Sequence, residues 1–173
     1  VRNSLVFGAG AAAVAIVVGG LAAVAITSRS GPLGRVFDGL LMLPLGVSAV
    51  TVGFGFIVAL DTPPLDLRSS PVLVPLAQAL VATPFVIRLL VPVLESIDPR
   101  LRQAAATLGA SPRRVWREID LPIAFRALTA AGGFAFAVSL GEFGATVFVA
   151  RGDTPTLPIA IFRLLGQPGA LNF

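Results

Sequence analysis

Residues 95–126 read ESIDPRLRQAAATLGASPRRVWREIDLPIAFR and carry much of the charge of this 173-residue chain. Six of the thirteen positive charges fall in this stretch, and all thirteen are arginine. It separates two runs, 71–94 and 127–150, each with one charged residue in 24 positions. A charged linker between two long apolar runs is typical of a polytopic membrane protein.

Two further apolar runs precede these, at 5–27 and 39–60, and neither contains a charge. All four runs exceed the roughly 20 residues that a helix needs to cross the hydrocarbon core. The composition agrees, with 55% hydrophobic residues, 13% charged residues and a mean hydropathy of +0.90. The sequence therefore predicts an all-α polytopic membrane protein, a single transmembrane domain over 1–173 with spans at 5–27, 39–60, 71–94 and 127–150.

The arginine distribution predicts the orientation, because short arginine-rich loops remain in the cytoplasm. The linker 95–126 and the loop 28–38 are expected inside, and the loop 61–70 and the tail 151–173 outside. Arg88, two turns from the inner end of its span, can extend to the cytoplasmic surface. The apolar stretch 157–165 is too short to span, which predicts a surface or re-entrant segment. We expect the chain to be a fragment that lacks its closing helix. We expect the protein to lie in the inner (cytoplasmic) membrane of the cell.

The residue types that are missing exclude several functions. The sequence contains no Lys, His or Cys. It cannot supply a phosphate-loop lysine, a Ser-His-Asp or Cys-His nucleophile, or a zinc site built on imidazole or thiolate. A nucleic-acid interface would need a dense basic face with stacking aromatic residues, which is also missing. We expect no catalytic site, metal site, cofactor or nucleic-acid partner in this chain.

The linker contains the signals of two short helices joined at a glycine. Asp98-Pro99 is an N-cap followed by proline at the first helical position. An apolar face then recurs at Leu101, Ala105 and Leu108, before Gly109 at the position where helices end with positive φ. Ser111-Pro112 repeats the start signal. By periodicity alone, the first helix fits either a groove on a partner protein or the inner leaflet of the membrane.

The spacing within this linker resembles a known motif. Gln103-Ala104-Ala105, then Gly109, then Ile119-Asp120-Leu121-Pro122 matches the EAA loop of permease subunits of binding-protein-dependent ABC importers with the type I fold. One position departs, because the leading Glu of the motif is Gln103. The departure affects any role that needs a negative charge there, but not docking itself. The resemblance implies that the first linker helix is a coupling helix, with these coupling residues: Gln103, Ala104, Ala105, Leu108, Gly109, Ile119, Leu121 and Pro122.

The resemblance also implies the partners and the activity. An ATP-binding cassette ATPase subunit would bind the linker, an extracytoplasmic solute-binding protein would deliver substrate, and a second permease half, fused or homodimeric, would complete the path. The chain itself would be a transport subunit in the lipid bilayer and not an enzyme. The segment 139–146 is similar to one that recurs in permeases for molybdate, sulfate, ferric iron and thiamine, and the segment 156–166 looks most like the branch that imports thiamine or ferric iron. The alternative is a secondary transporter or channel driven by an ion gradient, although few titratable residues lie in the spans.

Two further features have open interpretations. Ser139, Glu142 and Thr146 are spaced to share one face of the fourth span, where Glu142 could line the path for a cationic substrate or make a structural hydrogen bond to a neighbouring helix. Pro84 in the third span could be a gating hinge or a kink that neighbouring helices tolerate.

Overall fold

The computed structural model describes residues 1–28, 31–60, 70–150 and 154–166. These residues form helices and connecting turns, and none of them forms a strand, which confirms the all-α fold. The expected loop at 61–70 (apart from residue 70), positions 29–30 and 151–153, and the end of the tail at 167–173 lie outside the described residues. The helices are α1 (Arg2–Ser28), α2 (Pro32–Gly46), α3 (Ala49–Leu60), α4 (Leu73–Glu95), α5 (Pro99–Thr107), α6 (Pro112–Val115), α7 (Leu121–Gly141) and α8 (Leu157–Leu165).

Helices α1, α4 and α7 form a three-helix bundle, and each is long and apolar enough to cross a membrane. The contact between α1 and α4 is close because α1 buries small residues. At Gly19, an added Cβ would lie 2.9 Å from Val86 Cβ and 3.2 Å from the Thr83 carbonyl oxygen. Such close approach of backbones is how membrane helices gain packing energy without a hydrophobic drive.

The second predicted span is not one straight helix. Helices α2 and α3 meet at a bend of 102°, with Val47 in extended conformation between them. Pro44 removes a backbone donor inside α2, and Gly46 has low helix propensity, so the helix ends there. At 1.5 Å per residue, α2 is about 22 Å long and α3 about 18 Å, so neither alone spans the roughly 30 Å core. The prediction of an uninterrupted helix over 39–60 is therefore wrong.

An ion pair connects α2 to the bundle. Arg88 Nη2 lies 3.6 Å from Asp38 Oδ2, with the Arg88 side chain 59% exposed. The pair lies toward the end of α4 that leads into the linker, on the side expected to face the cytoplasm. The cation thus has a partner in the neighbouring helix, in addition to the access to the surface that the sequence predicted.

The fourth predicted span also differs, because α7 begins at Leu121 and ends at Gly141. Residues 142–150 turn away and pack over α3. An added Cβ at Gly53 would lie 2.5 Å from the Ala145 carbonyl oxygen, and Phe54 packs edge-on against Phe148 with ring centroids 6.2 Å apart. Ala145 and Val149 pack with Leu73, Val74 and Ala77 of α4 in a buried hydrophobic cluster. Two glycines, at 141 and 144, weaken the helix where this turn begins.

The apolar stretch 157–165 forms the short helix α8, in agreement with a non-spanning segment. Its start is fixed to the start of α1, because Leu157 N donates to Ser4 Oγ at 2.6 Å and Asn3 Nδ2 donates to the Pro155 carbonyl at 3.5 Å. The rings of Phe143 and Phe162 pack 5.1 Å apart. Helix α8 therefore lies at the same end of the bundle as the turn after α7.

Candidate functional site: the linker and the outer turn

The linker begins with α5, whose ends form as the sequence predicts. The Asp98 carboxylate accepts a hydrogen bond from Arg100 N at 2.9 Å, which is the N-cap contact. At the other end, Gly109 has φ of +80°, and Ala110 N donates to the Ala105 carbonyl at 3.0 Å. This bond pattern is the Schellman motif, which requires a left-handed residue after the helix. The glycine corner is confirmed. The predicted cap at Ser111 is made by its backbone carbonyl and not by its hydroxyl.

The predicted coupling residues divide into two groups at this corner. On α5 and the corner, none of Pro99–Thr107 is buried, and Leu108 is 89% exposed. Leu101 is also exposed, at 48%, so the apolar face of α5 is only partly covered in the described chain. Gln103, Ala104 and Gly109 are exposed as well, and Ala105 is half-buried.

After the corner the chain joins the bundle. Val115 is buried, and Trp116 and Ile119 pack against the core formed by α1, α4 and α7. The five residues Trp116–Asp120 form a π-helical turn that runs directly into α7. The sequence predicts a separate short helix before the span. The structure has instead one helical rod over Pro112–Gly141, with Leu121 and Pro122 exposed near its inner end.

Two site residues that the sequence analysis did not select connect these groups. Arg102 Nε donates to Asp120 Oδ1 at 2.8 Å, and the Asp120 side chain is 9% exposed. Opposite charges 18 positions apart give no periodic signal, so spacing along the chain could not identify the pair. Its formation depends on the corner at Gly109, which folds α5 back beside the π-helical turn.

The polar residues at the outer end of α7 do not share one helix face, which corrects the sequence-based prediction. Ser139 is buried within α7, Glu142 is extended with ψ of 116°, and Thr146 lies in the following turn. The Glu142 carboxylate accepts from Ala145 N at 2.9 Å, and the Thr146 hydroxyl donates to the Glu142 carbonyl at 2.9 Å. The carboxylate thus makes a structural hydrogen bond, to its own turn and not to a neighbouring helix.

The third span contains Pro84 inside a continuous α4. Pro84 is fully buried in the bundle, and the Thr83 hydroxyl donates to the Ala79 carbonyl at 2.7 Å. Helix α4 continues through Pro84 to Glu95. The hinge therefore stays a prediction.

Gln78 in α4 is a buried polar residue that the sequence analysis missed. It is 1% exposed, and its Oε1 has no hydrogen-bond partner among the described residues. Ser139 in α7 is another buried residue whose side-chain oxygen has no hydrogen-bond partner among the described residues. A single glutamine in an apolar run gives no indication of which helix faces it.

The chain is similar in sequence to known proteins. Residues 15–166 match the family model described as binding-protein-dependent transport system inner membrane component. The chain is 47% identical over 98 residues to a molybdenum transport system permease protein of Haemophilus influenzae, covering 55% of this chain and 43% of that protein. The corresponding Escherichia coli K12 protein is 36% identical over 152 residues, covering 80% of this chain and 66% of its own length.

A third relative is a putative 2-aminoethylphosphonate transport system permease protein of Salmonella typhi, 33% identical over 144 residues, which are 75% of this chain and 49% of the relative. The chain thus spans between 43% and 66% of the length of these relatives. Their names do not support the expected thiamine or ferric-iron branch. The family match agrees with two features of the structure, the long apolar helices and the exposed linker helix. The chain is a multi-pass cell-membrane protein that belongs to the binding-protein-dependent transport system inner membrane component family.

Proposed function

We propose that the full-length protein is the permease subunit of an ATP-driven importer and that α5 docks on a separate ATPase subunit. The observation that carries the proposal is the partly exposed apolar face of α5, with Leu108 89% exposed, beside a glycine corner and a rod that continues into the bundle. A short amphipathic helix gains stability when its apolar face enters a groove. The family match favours a protein groove over the inner leaflet as the cover of that face.

Co-purification of the full-length protein with its ATPase subunit tests the docking. The variant Leu108→Asp places a charge on the face of α5, and we expect loss of the ATPase subunit from the purified complex. The matched control is Leu165→Asp, which alters a similarly exposed leucine on α8. Retention of the ATPase subunit by Leu108→Asp would contradict the docking and would instead favour the inner leaflet as the cover of this face.

For the substrate, we propose a tetrahedral oxyanion, with molybdate as the first candidate. The support is the similarity to permeases named for molybdenum and for 2-aminoethylphosphonate transport. In water near neutral pH, molybdenum(VI) is present as the tetrahedral molybdate dianion, with four oxygens, and a phosphonate group is also a tetrahedral anion, with three oxygens and one carbon on phosphorus. In this proposal Glu142 acts through its hydrogen bond to Ala145 N, because a carboxylate in the path would repel an anion.

Uptake into proteoliposomes that contain the full transporter, its ATPase subunit and its cognate binding protein tests the substrate. We expect ATP-dependent uptake of molybdate and none of thiamine or ferric iron. Uptake of either of the latter would restore the thiamine or ferric-iron expectation. Uptake that needs a proton gradient and no ATP would instead support the ion-gradient alternative.

A further inference from the structure

The ion pair between Arg102 and Asp120 joins the two parts of the linker. The Nε–Oδ1 distance is 2.8 Å, and the partners belong to α5 and to the π-helical turn before α7. Asp120 is 6% exposed as a residue, so its charge is largely removed from water. A guanidinium with a buried carboxylate is a strong, directional contact, and loss of one partner leaves the other charge unpaired.

Helix α5 has little else to fix its direction. It buries none of its residues, and its main neighbour is the short helix α6. The hydrogen bonds around Gly109 stay within the corner itself, and a Cβ at Gly109 would meet no atom within 4 Å. Packing therefore leaves the corner free to bend. The other side of the corner is anchored, because Val115 is buried and Trp116 and Ile119 pack against the core of the bundle.

A force on α5 can thus have one of two results. If the corner bends, α5 rotates and α7 does not move. If α5 and the π-helical turn are joined, the force reaches the rod Pro112–Gly141 and hence the bundle. The Arg102–Asp120 contact joins the two sides of the corner. A force on α5 can therefore reach this rod through the ion pair as well as through the backbone.

We infer that Arg102 and Asp120 are positioning residues that make α5 and α7 move together when the ATPase subunit acts on α5. The inference deepens the proposed function and rests on it. It differs from docking, because the pair does not need to touch the partner. The π-helical turn contributes by inserting an extra residue into the helical repeat, which changes the direction of Asp120 relative to the core-packed Trp116.

The test compares single variants with a matched ion pair. In the full-length transporter with its ATPase subunit, Arg102→Asp and Asp120→Arg should each keep that subunit bound but lower the substrate imported per ATP hydrolysed, by roughly fivefold or more. The charge swap Arg102→Asp/Asp120→Arg should recover part of the loss. The control pair is Arg114–Glu118, an exposed i,i+4 contact at 3.0 Å within one helical segment, whose variants should leave the ratio unchanged.

A covalent link keeps the inference testable if the swap does not fold, because residues 1–173 contain no cysteine and any cysteine elsewhere in the full-length protein can be replaced first. The double variant Arg102→Cys/Asp120→Cys should be poorly coupled when free and recover when a short bismaleimide joins the two thiols. Normal coupling without the cross-linker would overturn the inference. If the unmodified protein does not bind the ATPase subunit at all, the proposed function fails first, so the two failures are distinguishable.

Discussion

At the residue scale, the positions of buried polar groups are set by neighbours that lie far away in sequence. Gln78 shows this, because its Oε1 is enclosed in the bundle without a partner among the described residues. A buried acceptor that lacks a hydrogen bond costs about 1–3 kcal/mol. Gln78 therefore lowers the stability of the bundle in the conformation described.

Replacing Gln78 with leucine should raise the thermal unfolding midpoint. Leucine has a similar volume and no polar atom, so we expect a gain of about 1 kcal/mol in stability. Thermal unfolding of the full-length protein in detergent measures the change. Gln103→Leu on the exposed surface of α5 is the control, with little expected effect. A lower midpoint for Gln78→Leu would show that Gln78 has a favourable partner.

Glu142 gives a second residue-scale prediction. Glu142→Gln retains an oxygen that can accept from Ala145 N, so we expect nearly normal stability and unchanged transport. Glu142→Ala removes this hydrogen bond to the backbone and should lower the stability of the protein by about 1 kcal/mol. Uptake and thermal unfolding should be measured on both variants. Lost uptake by Glu142→Gln at normal stability would assign the carboxylate to the translocation path.

At the scale of single elements, helix ends and helix contacts depend on glycine for different reasons. Gly109 is required for its positive φ, whereas Gly19 is required for space against Val86. The sequence predicts the first, because the cap and proline signals surround it. It does not predict the second, because a close contact depends on the facing helix.

Gly109→Ala should strain the corner, because the left-handed conformation costs a non-glycine residue roughly 1–2 kcal/mol. Faster hydrogen exchange of amides 105–110 would report the loosened corner. The matched control is Gly133→Ala, where the Cβ also meets open space but φ is ordinary, so helix stability should rise slightly. Equal protection in Gly109→Ala and the unmodified protein would contradict the prediction.

Gly19→Ala should weaken the contact between α1 and α4. The new Cβ would lie 2.9 Å from Val86 Cβ and near a backbone oxygen that cannot move alone. Overpacking of this kind costs about 1–3 kcal/mol. The neighbouring Gly20→Ala is the control, because its Cβ would lie 3.9 Å from Leu128 Cδ1. Thermal unfolding should separate the two variants, and equal midpoints would show that the helices can move apart.

At the scale of the whole molecule, the linker and α8 should lie on opposite sides of the membrane. Single cysteines test this directly in residues 1–173, which contain none. Ser111→Cys should react with a membrane-impermeant maleimide in inverted vesicles, and Leu164→Cys should react in intact spheroplasts. Reaction of both cysteines from the same side would contradict the orientation predicted by the arginine distribution.

The sequence by itself determined the membrane class, the helical fold, the first linker helix and the glycine corner. These depend on local chemistry: apolar length, caps, and a residue that tolerates positive φ. Only the tertiary structure decided the bend between α2 and α3, the end of α7 at Gly141, and the pairing of Arg102 with Asp120. A uniformly apolar run does not show where a helix stops, because its neighbours determine whether the chain gains more by continuing or by turning to pack over them.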